Sequence, residues 1–190
     1  MKFLPHELYH IYNRGNNSQP IFFERENYLF FLRKIKQELT PFCDVLAYCL
    51  MPNHYHLLVR VKNLNELTGS ELSVVISRKL GTLQSSYTRA INKSFKRHGS
   101  LFQQKVKAKH ILKYGHICFH YIHQNPLKAR LCSNLQDWEF SSFPDYLGLR
   151  NGSLPNKVLA LDILDVPPSS EILLKESIQS IEEGWKDSFY

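Results

Sequence analysis

Apolar positions recur along this chain with two different periods, and the switches between them lay out its elements. Leu8-Tyr9-His10-Ile11-Tyr12 is aromatic and β-branched and runs into Asn13-Arg14-Gly15-Asn16-Asn17, which predicts a strand and then a turn where Gly15 can take a positive φ. From Glu24 to about Leu39 the residues Tyr28, Phe31, Leu32 and Ile35 return at helical spacing, with Arg33, Lys34 and Lys36 between them, and Thr40-Pro41 stops this helix. Residues 42–50 form a β-run, Met51-Pro52-Asn53 breaks it, and His54 to Val61 comes back as the second strand of a hairpin. A long helix follows from about Asn65 to Asn92, carrying Leu72, Val75, Ile76, Leu80, Leu83, Tyr87 and Ile91 on a broad stripe that Gly81 weakens. Gly99-Ser100 marks a turn, and Leu101 to Ile111 alternates like a strand.

The order is β-α-β-β-α-β. It predicts an α+β protein with a ferredoxin-like (RRM-like) antiparallel sheet and helices on one face. The other face is left for a further helical stretch from about Gly115 to Leu131, with an interruption expected at Asn125-Pro126. One principal domain over residues 5–150 is expected, followed by an acidic C-terminal extension, 151–190, with a last helix from Glu171 to about Glu183.

Length and composition agree with this: 190 residues, 43% hydrophobic and 22% charged, suffice for a self-supporting core and exclude wholesale disorder. No stretch approaches the ~20 apolar residues of a membrane span, and Pro5 and Glu7 interrupt any signal-like start, so a cytoplasmic protein with no membrane partner is expected. Cys43, Cys49, Cys118 and Cys132 form no C-x-x-C pair and are read as reduced, mostly buried residues. Charge changes the picture more. Residues 72–136 carry 12 Lys and Arg and no acidic residue, a one-signed block that a salt-bridged surface does not explain and a polyanion partner does. Arg78, Lys79, Arg89, Lys93, Lys96 and Arg97 fall on or after the second long helix, Lys105, Lys107 and Lys109 on the last strand, and Arg14 in the first turn; all are candidate phosphate contacts.

The candidate chemistry begins with Asn53-His54-Tyr55-His56-Leu57-Leu58-Val59-Arg60-Val61. Alternation puts His54 and His56 on the face opposite Tyr55, Leu57, Val59 and Val61, so two imidazoles can converge on one ion. A packed, hydrogen-bonded pair is the plain alternative. On the helix Gly115-His116-Ile117-Cys118-Phe119-His120-Tyr121-Ile122-His123-Gln124-Asn125-Pro126, Tyr121 and Asn125 stack at i and i+4. His116, His120 and His123 fall near another direction, a second and weaker candidate metal site without a visible fourth ligand. Asn125 is either a third oxygen ligand beside the histidine pair or a helix cap.

These residues resemble the single-tyrosine HUH transposases, and in particular their REP-associated tyrosine transposase branch. The resemblance rests on Met51-Pro52-Asn53-His54-Tyr55-His56-Leu57-Leu58, Gly99-Ser100-Leu101-Phe102-Gln103, Tyr121-Ile122-His123-Gln124-Asn125-Pro126 and Trp138-Glu139-Phe140-Ser141-Ser142-Phe143, in that order. It implies cleavage and rejoining of single-stranded or hairpin DNA through a covalent 5′-phosphotyrosine. Tyr121 would be the nucleophile and His54, His56 and Asn125 the ligands of a divalent metal, where other branches carry glutamine in place of the asparagine. Imidazole and amide donors with open positions suit Mg²⁺ or Mn²⁺. A monomer or homodimer is expected. Two alternatives remain: a non-catalytic RRM-like nucleic-acid-binding module, and a metal-dependent phosphoesterase that forms no covalent intermediate.

Overall fold

The computed structural model describes residues 1–179. Four strands, β1 (Leu8–Arg14), β2 (Cys43–Met51), β3 (His54–Val61) and β4 (Lys107–His110), form one antiparallel sheet in the order β2-β3-β1-β4. Helices α1 (Arg25–Leu39) and α2 (Gly69–Ser94) cover one face, against a core that includes Ile11, Phe31, Ile35, Tyr55, Leu57, Val59, Leu80, Leu83 and Tyr87. The α+β, ferredoxin-like architecture is therefore present, with the hairpin turn at Pro52-Asn53 and Tyr55 on the helix side, where Gln84 Nε2 donates to its hydroxyl.

The second face is filled by α3 (Gly115–Lys128), which packs on β2 and β3 of its own chain. Phe119 and Ile122 are fully buried there, worth about 1.5–3 kcal/mol each, and they hold the helix on the sheet. Three short helices, α4 (Phe143–Tyr146), α5 (Lys157–Ile163) and α6 (Ser170–Ile178), complete this layer by adding Phe143, Ala160, Leu164 and Leu173 to the core around Phe119. Residues 138–142 run along the outer edge of β2, where Leu50 N–H donates to Phe140 O and Ser142 N–H to Tyr48 O. Farther along the same edge Asn156 N–H donates to Val45 O, so β2 offers no open ladder. The part of the last expected helix beyond Gln179 lies outside the described residues.

Four local expectations are corrected. Gly15 has φ −60°, not a positive value; its lack of a side chain matters because a Cβ there would lie 2.0 Å from Gln19 O. Helix α2 starts at Gly69, after a capping box formed by Thr68 and Glu71, and runs unbroken through Gly81. The last strand is only four residues long, because after an isolated bridge between Phe102 and Gly15 the chain leaves the ladder and Lys105 lies outside it. Finally, α3 passes through Pro126 instead of stopping. Pro126 cannot donate to Ile122 O; Asn125 Nδ2 supplies that carbonyl with a long replacement contact (3.4 Å) and makes a closer, additional one to Tyr121 O (2.8 Å).

One buried ion pair pins the segment after α4. Asp145 is fully covered and accepts from Arg150 Nη2 at 2.7 Å, from Arg150 Nε at 3.0 Å and from Gly152 N–H at 2.6 Å. Arg150→Ala would leave a buried carboxylate short of its counter-charge. The expected loss is about 3 kcal/mol, at the low end for breaking such pairs because a third of the arginine side chain is in solvent, and the check is a shift in the urea unfolding midpoint.

Candidate active site

Register builds the site. Tyr12 pairs with His56 and Arg14 with His54 across β1 and β3, while Lys107 and Lys109 pair with Tyr12 and His10 across β1 and β4, so all seven side chains share the sheet face that α3 covers. A pocket of about 200 Å³ opens there, lined by Tyr12, Asn13, Arg14, His54, His56, Gln103 and Lys107. Arg14 is held by the chain on both sides: its N–H donates to Asn13 Oδ1, and its carbonyl accepts from Gln103 N–H.

The two histidines of the H-x-H strand stand with ring centroids 5.0 Å apart. His54 Nδ1 and Asn53 Oδ1 are 2.6 Å apart, and Asn53 Nδ2 donates to Ser18 O, which fixes the amide with its oxygen toward the imidazole. His54 Nδ1 therefore carries the proton and Nε2 the lone pair. That Nε2 is buried and makes no hydrogen bond of ordinary geometry among the described residues. Asn125 Nδ2 is tied to Tyr121 O, and the Asn125 side chain acts on His54 in the sense that favours the protonated ring, as an amide oxygen does. Burial and then the Arg14 charge outweigh it and push His54 down to about 4. Burial, with His10, His54 and Arg14 nearby, drives His56 well below the ordinary imidazole value. Both rings are neutral near pH 7, the state in which imidazole binds metal.

Tyr121 lies edge-on to His56 and His10, its ring centroid 5.7 Å from the first and 5.9 Å from the second, with Lys128 Nζ 5.9 Å from its centroid. It is 4% exposed. Tyr121, His54, His56 and Asn125 thus come together at one place; alternation groups the two histidines and the i, i+4 spacing groups Tyr121 with Asn125, and the packing of α3 on β3 brings the two pairs together. The donor chemistry fits a divalent ion: a buried imidazole lone pair on His54, a second neutral imidazole on His56, and an amide oxygen on Asn125. Among the described residues no group of three His, Cys, Asp or Glu side chains could hold a metal.

The triple-histidine stripe is not a metal site. His120 Nδ1 bonds Ser177 Oγ at 2.9 Å and His123 Nε2 bonds Ser142 Oγ at 2.7 Å, so these rings tie α3 to α6 and to the segment along β2. His120 is also pushed down to about 4, chiefly by burial. With His54 and His120 both held neutral, the unfolded chain takes up protons below about pH 6.5 that the folded chain refuses until about pH 4. Stability is therefore undiminished above that window and falls as pH drops through it. Thermal midpoints between pH 7.5 and 4.5 test this, and a flat profile would refute it.

The basic residues divide between two surfaces. Arg14, Lys107 and Lys109 lie on the site face, and Lys105 is exposed beside it. Arg78, Arg89, Lys93 and Lys96 are exposed on or after α2, across the sheet from the site; Lys79 pairs with Glu38, and Arg97 lies over the Phe23 ring. His10, Asn53, Tyr12 and Lys128 belong to the site but escape the sequence reading. The alternation of β1 marks His10 and Tyr12 as sharing a face, yet only the β1–β3 register sets them against His56.

No protein-family model and no curated protein matches this sequence. Among solved structures the chain is similar to the REP-associated tyrosine transposase determined bound to a REP hairpin, at a TM-score of 0.61 and 15% identity, over 78% of this chain and 83% of that one. At that identity the likeness establishes a common fold: this chain has the ferredoxin-like architecture of that transposase.

Proposed function

We propose that the protein is a metal-dependent single-stranded DNA endonuclease and strand transferase of the transposase type, acting at hairpin-associated sites through a covalent 5′-phosphotyrosine. The observation that carries this reading is the meeting of Tyr121 and Asn125 from α3 with His54 and His56 from β3 beside a pocket flanked by Arg14 and Lys107. The similar transposase, bound to a REP hairpin, supports DNA as the substrate class.

In this mechanism the Tyr121 oxygen attacks the scissile phosphorus and the phenol gives up its proton. The bond from phosphorus to the 3′-oxygen breaks, and that oxygen leaves as a hydroxyl after taking up a proton. A phenol near pKa 10 is a weak nucleophile at neutral pH, so the attack needs the charge on the phosphate oxygens offset; the Lys128 ammonium lies 5.9 Å from the ring centroid. Arg14 and Lys107 hold the phosphate backbone at the pocket mouth. His54, His56 and Asn125 would hold Mg²⁺ or Mn²⁺, which supplies polarisation of the phosphate and offsets charge on its oxygens. Because the phosphotyrosine retains the energy of the broken ester, a 3′-hydroxyl can reverse the attack and rejoin strands without ATP.

The test is incubation with end-labelled single-stranded hairpin DNA and Mn²⁺, a denaturing gel, and peptide mapping. A covalent adduct on Tyr121 is expected. Hydrolysis without an adduct would point to the phosphoesterase, and binding without either product to a non-catalytic module.

A further inference from the structure

His10 plays no part in the resemblance or in the mechanism above, yet it is fully buried and its Nε2 lies 2.8 Å from Nδ1 of His56. Their rings are nearly coplanar, 18° apart, and Tyr12 stacks on His10 at 4.8 Å while Tyr121 closes it edge-on at 5.9 Å. A hydrogen bond between two neutral imidazoles has one proton and two possible owners. If His10 donates, His56 must carry its own proton on Nε2. If His56 donates from Nδ1, its Nε2 bears a lone pair.

We infer that His10 is a positioning residue: it accepts the Nδ1 proton of His56 and so presents Nε2 of His56 to the pocket as a lone pair. Two observations select this owner. The first is electrostatic. With Nδ1 committed to His10, which does not line the pocket, Nε2 is the nitrogen His56 can turn toward it, and the Arg14 guanidinium lines that same pocket. A lone pair is favoured beside a cation and an N–H is not. The second is the neighbouring histidine, where Asn53 Oδ1 accepts the Nδ1 proton of His54 and leaves Nε2 as the lone pair. His10 does for His56 what Asn53 does for His54, and both ligands then offer the same nitrogen. Fixing a ligand's tautomer through its second ring nitrogen raises metal affinity, and loss of such a partner costs about 10- to 100-fold.

This consequence rests on the metal reading above, whereas the proton's position does not, and the experiment separates the two. The imidazole ¹⁵N spectrum of the metal-free protein is expected to show His56 protonated at Nδ1, and protonation at Nε2 would overturn the inference. Mn²⁺ binding, followed by paramagnetic resonance of the free ion, is expected to weaken about 10- to 100-fold in His10→Phe, which keeps the bulk but not the acceptor. His10→Gln, whose amide oxygen can accept the same proton, is expected to recover to within a few fold. Wild-type affinity and an unchanged His56 spectrum in His10→Phe would overturn the inference, as would equal losses in both variants, the mark of a packing role alone. If the wild-type protein shows the Nδ1–H form of His56 yet takes up no Mn²⁺, the metal reading fails and the assignment of His10 stands.

Discussion

Tyr121→Phe is expected to end covalent capture of DNA altogether and to lower strand cleavage by about four orders of magnitude or more, the scale on which loss of a covalent nucleophile registers. The change deletes one oxygen and no charge. The ring, 4% exposed and packed against His10 and His56, keeps its edge contacts, so α3 stays seated on the sheet and folding stability changes little. Hairpin affinity should remain within a few fold, because the proposed function assigns the phosphate contacts to Arg14, Lys107 and the other basic side chains. Quantitative cleavage kinetics beside a filter-binding titration make the comparison. If binding falls as far as cleavage, Tyr121 is part of the DNA surface and the nucleophile lies elsewhere among the ten tyrosines.

Replacing His54 and His56 together by alanine is expected to remove the stimulation of cleavage by Mg²⁺ or Mn²⁺, leaving activity at the level seen in chelator. The physical reason is the donor count: without the two imidazoles, only the Asn125 oxygen remains, and a single neutral amide does not retain a divalent ion against water. His56 is fully buried, so the variant needs a thermal unfolding control. His54→Gln with His56→Gln, polar and closer in size, serves as the second form of the test. Cleavage that still responds to metal in both variants would place the ion elsewhere.

How far the sequence reaches into this molecule follows from which interactions are local. The β-α-β-β-α-β order, the hairpin and the opposite facing of Tyr55 and His56 depend on periods of 2 and 3.6 residues, and these are written in adjacent positions. The pairing of Tyr121 with Asn125 is legible for the same reason. His10 is not, because its meaning comes from a register between strands 46 residues apart, and no spacing within β1 announces it. Pro126 misleads as a helix stop since the side chain before it reaches the carbonyl that the proline leaves without a donor, a compensation that residue preferences do not contain. The division of the basic block is likewise tertiary. A run of like charge gives the sign of the partner, but whether two lysines share a face is decided by which side of the sheet their elements occupy.

The seating of α3 on its own chain's sheet has a further consequence. In an arrangement where that helix crossed to a second copy, every reactive centre would be a joint product, dilution would disarm it, and one defective copy would spoil its neighbour. Here His54 and His56 are joined to Tyr121 by 64 or so residues of one polypeptide, with Phe119 and Ile122 anchoring the far end of that tether to β2 and β3. All four candidate groups are therefore supplied by one chain. On the proposed function, a centre so built is complete within each chain: a loss-of-function allele would be recessive to an intact one, and scarcity of the protein would limit how often it acts without changing whether each molecule is able to.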